Sequence, residues 1–307
     1  MPSVDITVRL NDQLLLQNPI LTASGTFGYG DDVPDLVDVN RLGGLVTKSI
    51  TLHPREGHSP PRIAETPSGM LNAIGLANIG VDRFCDEKLA FLASLDTTVI
   101  VSIAGSSFAE YQEVMEIIEA RQPGIAGYEI NVSCPNVKEG GMEFGVSAQM
   151  TEGLTRTLRA LTDRYLIIKL SPNVTTIADI AIAAEVGGAD AVSAINTVVG
   201  MGIDPLTGKY QLSTGMGGLS GPAIRPIALA AVFKIAQVVH IPIIGIGGIM
   251  NIEDVVMFLR AGAHAVQIGT ANYRDPGIGV HIARDLPSYL EQLGIQQLSE
   301  VRGTAIP

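Results

Sequence analysis

Cysteine is scarce in this chain of 307 residues, which contains only Cys85 and Cys134. Iron–sulfur clusters are normally held by four cysteine thiolates, so this chain alone cannot ligate one. The sequence gives no support for a disulfide framework, although a single bridge between the two cysteines is left open. No spacing of His, Asp or Glu is typical of a metal site, and no histidine stands in a Cys–His motif that would indicate protease-like acyl chemistry.

Positive charge is also in short supply, because 20 Lys and Arg stand against 31 Asp and Glu, a net charge of −11. Clustered basic residues bind nucleic-acid backbones, so nucleic-acid binding is disfavoured. The opening residues MPSVDITVRL lack the basic and apolar regions of a secretory signal. Polar residues, a proline and three glycines interrupt the apolar stretch 235–252, which predicts a buried strand rather than a membrane span. We therefore expect a cytoplasmic protein that contacts neither nucleic acid nor membrane.

Apolar residues are abundant at 46% of the chain, and they recur in eight short runs that are mostly continuous rather than alternating. Such runs are typical of strands covered on both faces, as in parallel sheets. Amphipathic helical patterns lie between several of them, which predicts an α/β fold. The predicted strands span 19–24, 44–49, 98–104, 128–133, 166–171, 191–197, 241–247 and 265–269, and the predicted helices span 109–119, 151–162, 177–185, 226–238 and 252–260.

Eight strands in about 250 residues favour a closed (β/α)8 TIM barrel, with an open doubly wound sheet as the structural alternative. A turn signal at Asn11 and Asp12 predicts an N-terminal β-hairpin covering the bottom of the barrel. No linker or repeat is evident, so residues 1–307 are interpreted as a single domain. Two long connections, 50–81 and 198–222, follow strand ends on the face where barrels carry their active sites, and we expect them to act as lids.

Glycines close the last two predicted strands, where Gly247 and Gly248 follow one and Gly269 and Thr270 follow the other. Backbone amides after strands 7 and 8 of a barrel frequently hold a phosphate, and glycine permits close approach. The simpler interpretation is a pair of tight turns without a ligand. The paired signal favours a phosphate site.

Polar residues at other strand ends predict a ligand site on the same face. Lys169 lies inside an apolar strand, where it serves either a ligand or a buried ion pair with a carboxylate such as Glu129. Cys134 opens a glycine-rich loop, where a thiolate acts as nucleophile or base unless the residue is simply inert. Several asparagines share this predicted rim, and the uncharged segment 68–80 offers further amides for a small polar ligand.

Motifs extend this pattern along nearly the whole chain. Together they resemble the dihydroorotate dehydrogenase family, the flavin enzymes of pyrimidine synthesis. The resemblance implies a (β/α)8 barrel with FMN at its C-terminal rim. The motifs are NPILTASGTFGYG at 18–30, TKSIT at 47–51, NAIGLANIG at 72–80, NVSCPNVKEGG at 131–141, IIKLSPN at 167–173, INT at 195–197, GGLSGPAIRPIAL at 217–229, GIGGI at 245–249 and QIGTAN at 267–272.

The resemblance implies roles for individual residues. Cys134 is the general base that removes the C5 proton of dihydroorotate, while FMN accepts the C6 hydride. One departure is visible, because Ser102 stands where a flavin-contacting Asn is expected. The implied FMN contacts are Ser24, Lys48, Ser49, Ser102, Asn131, Lys169, Ile195, Gly221, Gly247, Gly248, Gly269 and Thr270. The implied substrate contacts are Lys48, Asn72, Ala73, Ile74, Gly75, Leu76, Asn131, Asn136, Asn196 and Thr197.

The amino-acid sequences of the motifs are most similar to those of the NAD-linked class 1B catalytic subunits of that family. The resemblance then implies a homodimer of this chain with two electron-transfer subunits, which carry FAD and a [2Fe–2S] cluster and pass electrons to NAD⁺. A membrane-bound, quinone-reducing class is disfavoured, because it uses serine as the base and carries an N-terminal extension. The alternatives are a fumarate-reducing class 1A enzyme, a non-redox isomerase or lyase with the same phosphate site, and a flavin-binding protein without turnover.

Overall fold

The computed structural model describes residues 4–12, 14–31, 37–122, 124–133 and 144–305. Fourteen strands lie within these ranges: β1 (Val8–Arg9), β2 (Leu15–Leu16), β3 (Ile20–Thr22), β4 (Gly44–Val46), β5 (Ile63–Thr66), β6 (Gly69–Asn72), β7 (Thr98–Ile103), β8 (Gly127–Asn131), β9 (Tyr165–Leu170), β10 (Ala191–Ala194), β11 (Val198–Met201), β12 (Met216–Ser220), β13 (Ile243–Ile246) and β14 (Ala265–Ile268).

Eight of these strands close into a barrel in the order β10-β13-β14-β3-β4-β7-β8-β9. The paired strands around it run parallel. All six residues of β9 are buried, as expected for a strand covered by helices outside and by the barrel core inside. The closed barrel confirms the (β/α)8 prediction over the open sheet, and each barrel strand lies within or overlaps a predicted run.

Helices surround the barrel, and the five predicted ones are present with small shifts in their ends. Local capping fixes some of these ends: Ser107 accepts a hydrogen bond from the backbone of Glu110, and Asn251 from that of Asp254. None of the helices in the described ranges combines the length and apolar character needed to traverse a lipid bilayer. The α-helices of the described ranges are α1 (Val81–Glu87), α2 (Leu89–Ala93), α3 (Phe108–Ala120), α4 (Ala148–Arg159), α5 (Ile177–Val186), α6 (Arg225–Ala236), α7 (Ile252–Arg260) and α8 (Ile278–Gln292).

A second sheet, not predicted from the sequence, lies above the barrel in the two long connections. Its strand order is β11-β12-β6-β5, all antiparallel, and we call it the rim sheet. β5 and β6 come from the connection 50–81, whereas β11 and β12 come from 198–222. The pairing of β6 with β12 therefore joins the two predicted lids into one structure.

The predicted N-terminal hairpin is present as the antiparallel pair β1 and β2. Its apolar side chains Val8 and Leu16 are buried in the main core. Leu14 lines a cavity together with Ala126 and Tyr165, which stand at the amino-terminal ends of β8 and β9. The hairpin therefore lies at the amino-terminal end of the barrel, opposite the carboxyl-terminal rim.

His264, just before β14, couples the stability of the barrel to pH. Its Nδ1 accepts a hydrogen bond from the backbone of Ile243 at 3.3 Å. Burial, with a smaller contribution from Arg302, lowers the pKa of His264 from 6.5 to about 4. Between these two pH values the unfolded chain holds more protons than the native one, so stability is lost as pH falls from 6.5 towards 4.

We expect His264→Gln to reduce the number of protons taken up on unfolding in acid by about one, because glutamine does not titrate. The neutral amide can still accept the hydrogen bond from the backbone of Ile243. Urea denaturation at several pH values measures this number as the slope of stability against pH. An identical acid slope in wild type and His264→Gln would contradict the prediction.

Candidate active site

Most of the residues predicted to form a site lie at the carboxyl-terminal ends of the barrel strands, and a smaller group follows two strands of the rim sheet. Most stand in a strand's last residues or within the first few residues after it, which is the face where barrels place their catalytic groups. Ser24 follows β3; Lys48 and Ser49 follow β4; Ser102 is in β7; Asn131 ends β8; Lys169 is in β9; Ile195, Asn196 and Thr197 follow β10; Gly247 and Gly248 follow β13; Gly269 and Thr270 follow β14; Asn72 ends β6 and precedes 73–76; Gly221 follows β12.

Two predicted residues, Cys134 and Asn136, lie outside the described residues. The predicted base and one predicted substrate ligand therefore stay predictions. Asn131, which ends β8, and Ser133, two residues later, are described at this rim of the barrel. The other cysteine, Cys85, is a free thiol buried on α1.

Three serine hydroxyls form a chain along the inner rim. The Oγ atoms of Ser24 and Ser49 are 3.2 Å apart, and those of Ser49 and Ser102 are 2.8 Å apart. Ser102 is fully buried, whereas Ser24 is partly accessible. Serine at the position where the resemblance implies Asn is thus bonded to a neighbouring serine, and its contact with flavin stays a prediction.

Lys169 forms the buried ion pair that the sequence offered as the alternative to a ligand role. Its Nζ lies 3.2 Å from Oε1 of Glu129, and the two side chains are 7% and 0% exposed. Burying two charges is tolerated because the pairing compensates both. The ion pair is present, and a role of Lys169 towards a ligand stays a prediction.

Amide side chains meet between β8 and β10. Asn196 donates from Nδ2 to Oδ1 of Asn131 at 3.1 Å, and the Oδ1 of Asn196 accepts from the backbone of Thr197 at 2.8 Å. Thr197 packs against Gly218 of the rim sheet, where a Cβ would lie 2.1 Å from the threonine hydroxyl. Hydrogen bonding fixes the orientation of these groups, as a polar recognition site requires.

The segment 73–76 is held against the rim by His58. The backbone of His58 donates to the carbonyl of Ile74 at 3.1 Å, and its Nδ1 lies 3.2 Å from the carbonyl oxygen of Ala73. Gly75 has a φ of +75°, and a Cβ there would lie 2.7 Å from the His58 nitrogen. Nearby, Asn72 donates to the carbonyl of Gly218 at 3.2 Å, which ties this segment to β12.

A glycine cradle lies where the chain leaves β13. Gly247 and Gly248 have φ values of +133° and +72°, which L side chains rarely adopt. A Cβ on Gly248 would lie 2.8 Å from the carbonyl oxygen of Gly221. Beside it, Thr270 donates its hydroxyl to Ser220 at 2.8 Å. This turn brings backbone atoms close together, carries no side chains and lies next to two hydroxyls. Such a site fits a phosphate group.

Sequence reasoning missed several polar residues of this end of the barrel. Ser220 joins the glycine cradle, and its signal was its place directly before Gly221. Ser193 and Gln267 point into the barrel and bond to Glu129 at 2.9 and 2.6 Å. The signal for both was a polar residue inside an apolar strand, the feature that drew attention to Lys169.

Comparisons with known proteins indicate the family of this chain. A family profile described as dihydroorotate dehydrogenase matches residues 9–290. Three similar proteins are each named dihydroorotate dehydrogenase B (NAD(+)), catalytic subunit. The one from Bacteroides thetaiotaomicron is 48% identical over 299 residues, covering 97% of this chain and 98% of its own. Those from Geotalea daltonii and Anoxybacillus flavithermus are 47% and 49% identical, covering 99% and 94% of this chain and 99% and 93% of their own.

Proposed function

Because the chain belongs to the dihydroorotate dehydrogenase family, we propose that it oxidises dihydroorotate to orotate in pyrimidine biosynthesis. The observation that carries this proposal is the meeting of a glycine cradle, a row of hydroxyls and an amide cluster at one rim of the barrel. A phosphate-bearing flavin and a small polar ring require these three environments side by side. A non-redox isomerase or lyase would use the glycine cradle but has no need for the other two.

The cofactor proposed for this site is FMN, and the described residues fit it. Gly247, Gly248 and Gly269, with the hydroxyl of Thr270, would hold the phosphate. Ser24, Lys48, Ser49, Ser102, Asn131, Ile195 and Gly221 would line the ring system. Lys169 would place a positive charge beside it. When bound, the flavin supplies the acceptor for the hydride from C6 of the substrate.

Substrate binding is assigned to the amide groups of the rim. Asn131, Asn196 and Thr197 would hold the pyrimidine ring from one side. Asn72, segment 73–76, Lys48 and Asn136 would fix its carboxylate and carbonyl groups. The proposed base is Cys134, whose thiolate takes the C5 proton, which is acidified by the neighbouring carbonyl. Loss of this proton together with the C6 hydride leaves the double bond of orotate.

Gly248→Ala should weaken FMN binding by about tenfold or more, because a left-handed conformation costs about 1–3 kcal/mol for a residue with Cβ, and the new methyl group meets the Gly221 carbonyl. Fluorescence titration of FMN measures the affinity. Gly294→Ala is the matched control, since Gly294 has a φ of +75° with nothing within 4 Å of its Cβ position. Equal FMN affinity in the two variants would argue against the cradle as the phosphate site.

A partner subunit is proposed for the passage of electrons to NAD⁺. This chain has two cysteines, so a [2Fe–2S] cluster and its FAD would belong to that partner. The names of the similar proteins favour NAD⁺ over fumarate as the final acceptor. We propose a homodimer of this chain flanked by two electron-transfer subunits. Location in the cytoplasm stays a prediction from the sequence.

Anaerobic reduction of the purified protein tests the proposal. The expected result is a yellow protein that releases FMN on denaturation and is bleached by dihydroorotate. NAD⁺ should restore the colour only when the partner subunit is present. Rapid reoxidation of the isolated chain by fumarate would support the class 1A alternative, and a colourless protein that does not bind FMN would overturn the flavin assignment.

A further inference from the structure

A polar layer crosses the interior of the barrel directly below the proposed flavin site. Its centre is Glu129, which is fully buried. One carboxylate oxygen accepts from Lys169 at 3.2 Å, and the other accepts from Ser193 at 2.9 Å and from Gln267 at 2.6 Å. β8 and β14 stand four positions apart in the closed barrel, on opposite sides of it. The bond between Glu129 and Gln267 therefore spans the barrel interior.

This layer fixes Lys169 in space. In the parallel register Lys169 stands beside Asn131 on β8 and beside Ser193 on β10. The proposed substrate ligand Asn131 and Lys169 are thus direct neighbours across two paired strands. Glu129, two residues earlier on β8, reaches up to the ammonium from below. Its second oxygen is held by two other strands, so the carboxylate has little freedom to follow a displaced lysine.

The charges in this layer balance. β8 contributes the carboxylate of Glu129, while β10 and β14 contribute the neutral Ser193 and Gln267. Lys48 is a further cation of the rim, after β4. A desolvated ammonium group without a carboxylate partner readily gives up its proton. Glu129 is therefore the group suited to keep Lys169 charged whatever the state of the flavin.

We propose that Glu129 is a positioning residue that holds Lys169 as a fixed ammonium and so sets the reduction potential of the bound flavin. This inference rests on the proposed function. With Glu129 holding Lys169 as an ammonium, two-electron reduction of a bound FMN would take up one proton, because the ammonium would supply the second positive charge. In the absence of the Glu129 carboxylate, a desolvated Lys169 would lack its proton before reduction and would take up a second proton during it.

The test is the pH dependence of the midpoint potential of bound FMN, measured against reference dyes during photochemical reduction. We expect Glu129→Gln to double the slope, from one to two protons per two electrons. The matched control is Glu119→Gln, on α3. Its carboxylate accepts from Tyr128, Thr162 and Arg164, so it loses the same charge from a comparable network away from the rim. Its slope should equal that of wild type.

An unchanged slope in Glu129→Gln would overturn the inference, and so would a potential that rises at constant slope, since Lys169 would then be charged without its partner. A second variant, Glu129→Gln combined with Lys169→Met, removes both charges and is better tolerated than the loss of one. It should keep the wild-type slope and shift the reduction equilibrium at least tenfold towards oxidised flavin, about 30 mV for a two-electron couple. A wild-type potential in this double variant would also overturn the inference. Wild-type protein that binds no FMN would instead refute the proposed function.

Discussion

Cys134→Ser should reduce its flavin with dihydroorotate about 10²–10⁴ times more slowly than wild type, the range by which a general base accelerates proton transfer. A serine hydroxyl is a far weaker acid than a thiol, so very little of it is ionised near neutral pH. FMN should remain bound, because the proposed phosphate and ring contacts come from other residues. Stopped-flow absorbance under anaerobic conditions measures the rate.

The wild-type rate should also rise with pH through the ionisation of the thiol, which for a free cysteine is centred at roughly pH 8.5. Cys85→Ser is the matched control, since Cys85 lies buried on α1 and burial raises the pKa of its thiol. Its rate and pH profile should follow wild type. Wild-type speed in Cys134→Ser, or slow reduction in Cys85→Ser, would contradict the assignment of the base.

Lys169→Met should lower the free energy of unfolding by about 3–5 kcal/mol, because removal of one partner leaves the carboxylate of Glu129 buried and uncompensated. Urea denaturation followed by circular dichroism at saturating FMN measures the change. Arg121→Met is the control. Arg121 pairs with Asp86 at 2.9 Å, but the two side chains are 48% and 62% exposed, so the loss should be no more than about 1 kcal/mol.

Adding Glu129→Gln to Lys169→Met should recover most of that loss, since the buried charge is then gone as well. The non-additivity of the two substitutions measures the coupling within the pair. Equal destabilisation by Lys169→Met and Arg121→Met would show that the interior ion pair contributes no more than a surface pair.

The barrel was predictable because each of its strands is indicated by the residues of its own short segment. Runs such as YLIIKL are apolar and β-branched enough to indicate a strand covered on both faces, and a lysine inside one had to find an anion. The same sequence offered Glu129 as that anion, and the structure places the two side chains in contact. The turns after β13 and β14 were equally predictable, since glycines directly after a strand indicate a backbone turn.

The rim sheet was not predictable in this way. β6 and β12 have the sequences GMLN and MGGLS, which are poor in β-branched residues, and their pairing joins positions such as Asn72 and Gly218 that lie far apart in the chain.

Three helices and one interior hydrogen bond were also not predictable. Helix α8 has a proline, Pro287, inside it, and α1 and α2 are only 7 and 5 residues long, too short for a clear helical period. The cross-barrel bond from Gln267 to Glu129 depends on closure of the barrel, which no local pattern encodes.

The pairing of β6 with β12 has a consequence for how this fold can change. Because the two long connections share a hydrogen-bonded ladder, neither can be exchanged alone for a segment from another barrel without stripping backbone partners from the other. A designer who moves this rim sheet to another barrel would have to graft both connections together. During evolution, insertions in either connection should be tolerated only outside the residues that pair β6 with β12.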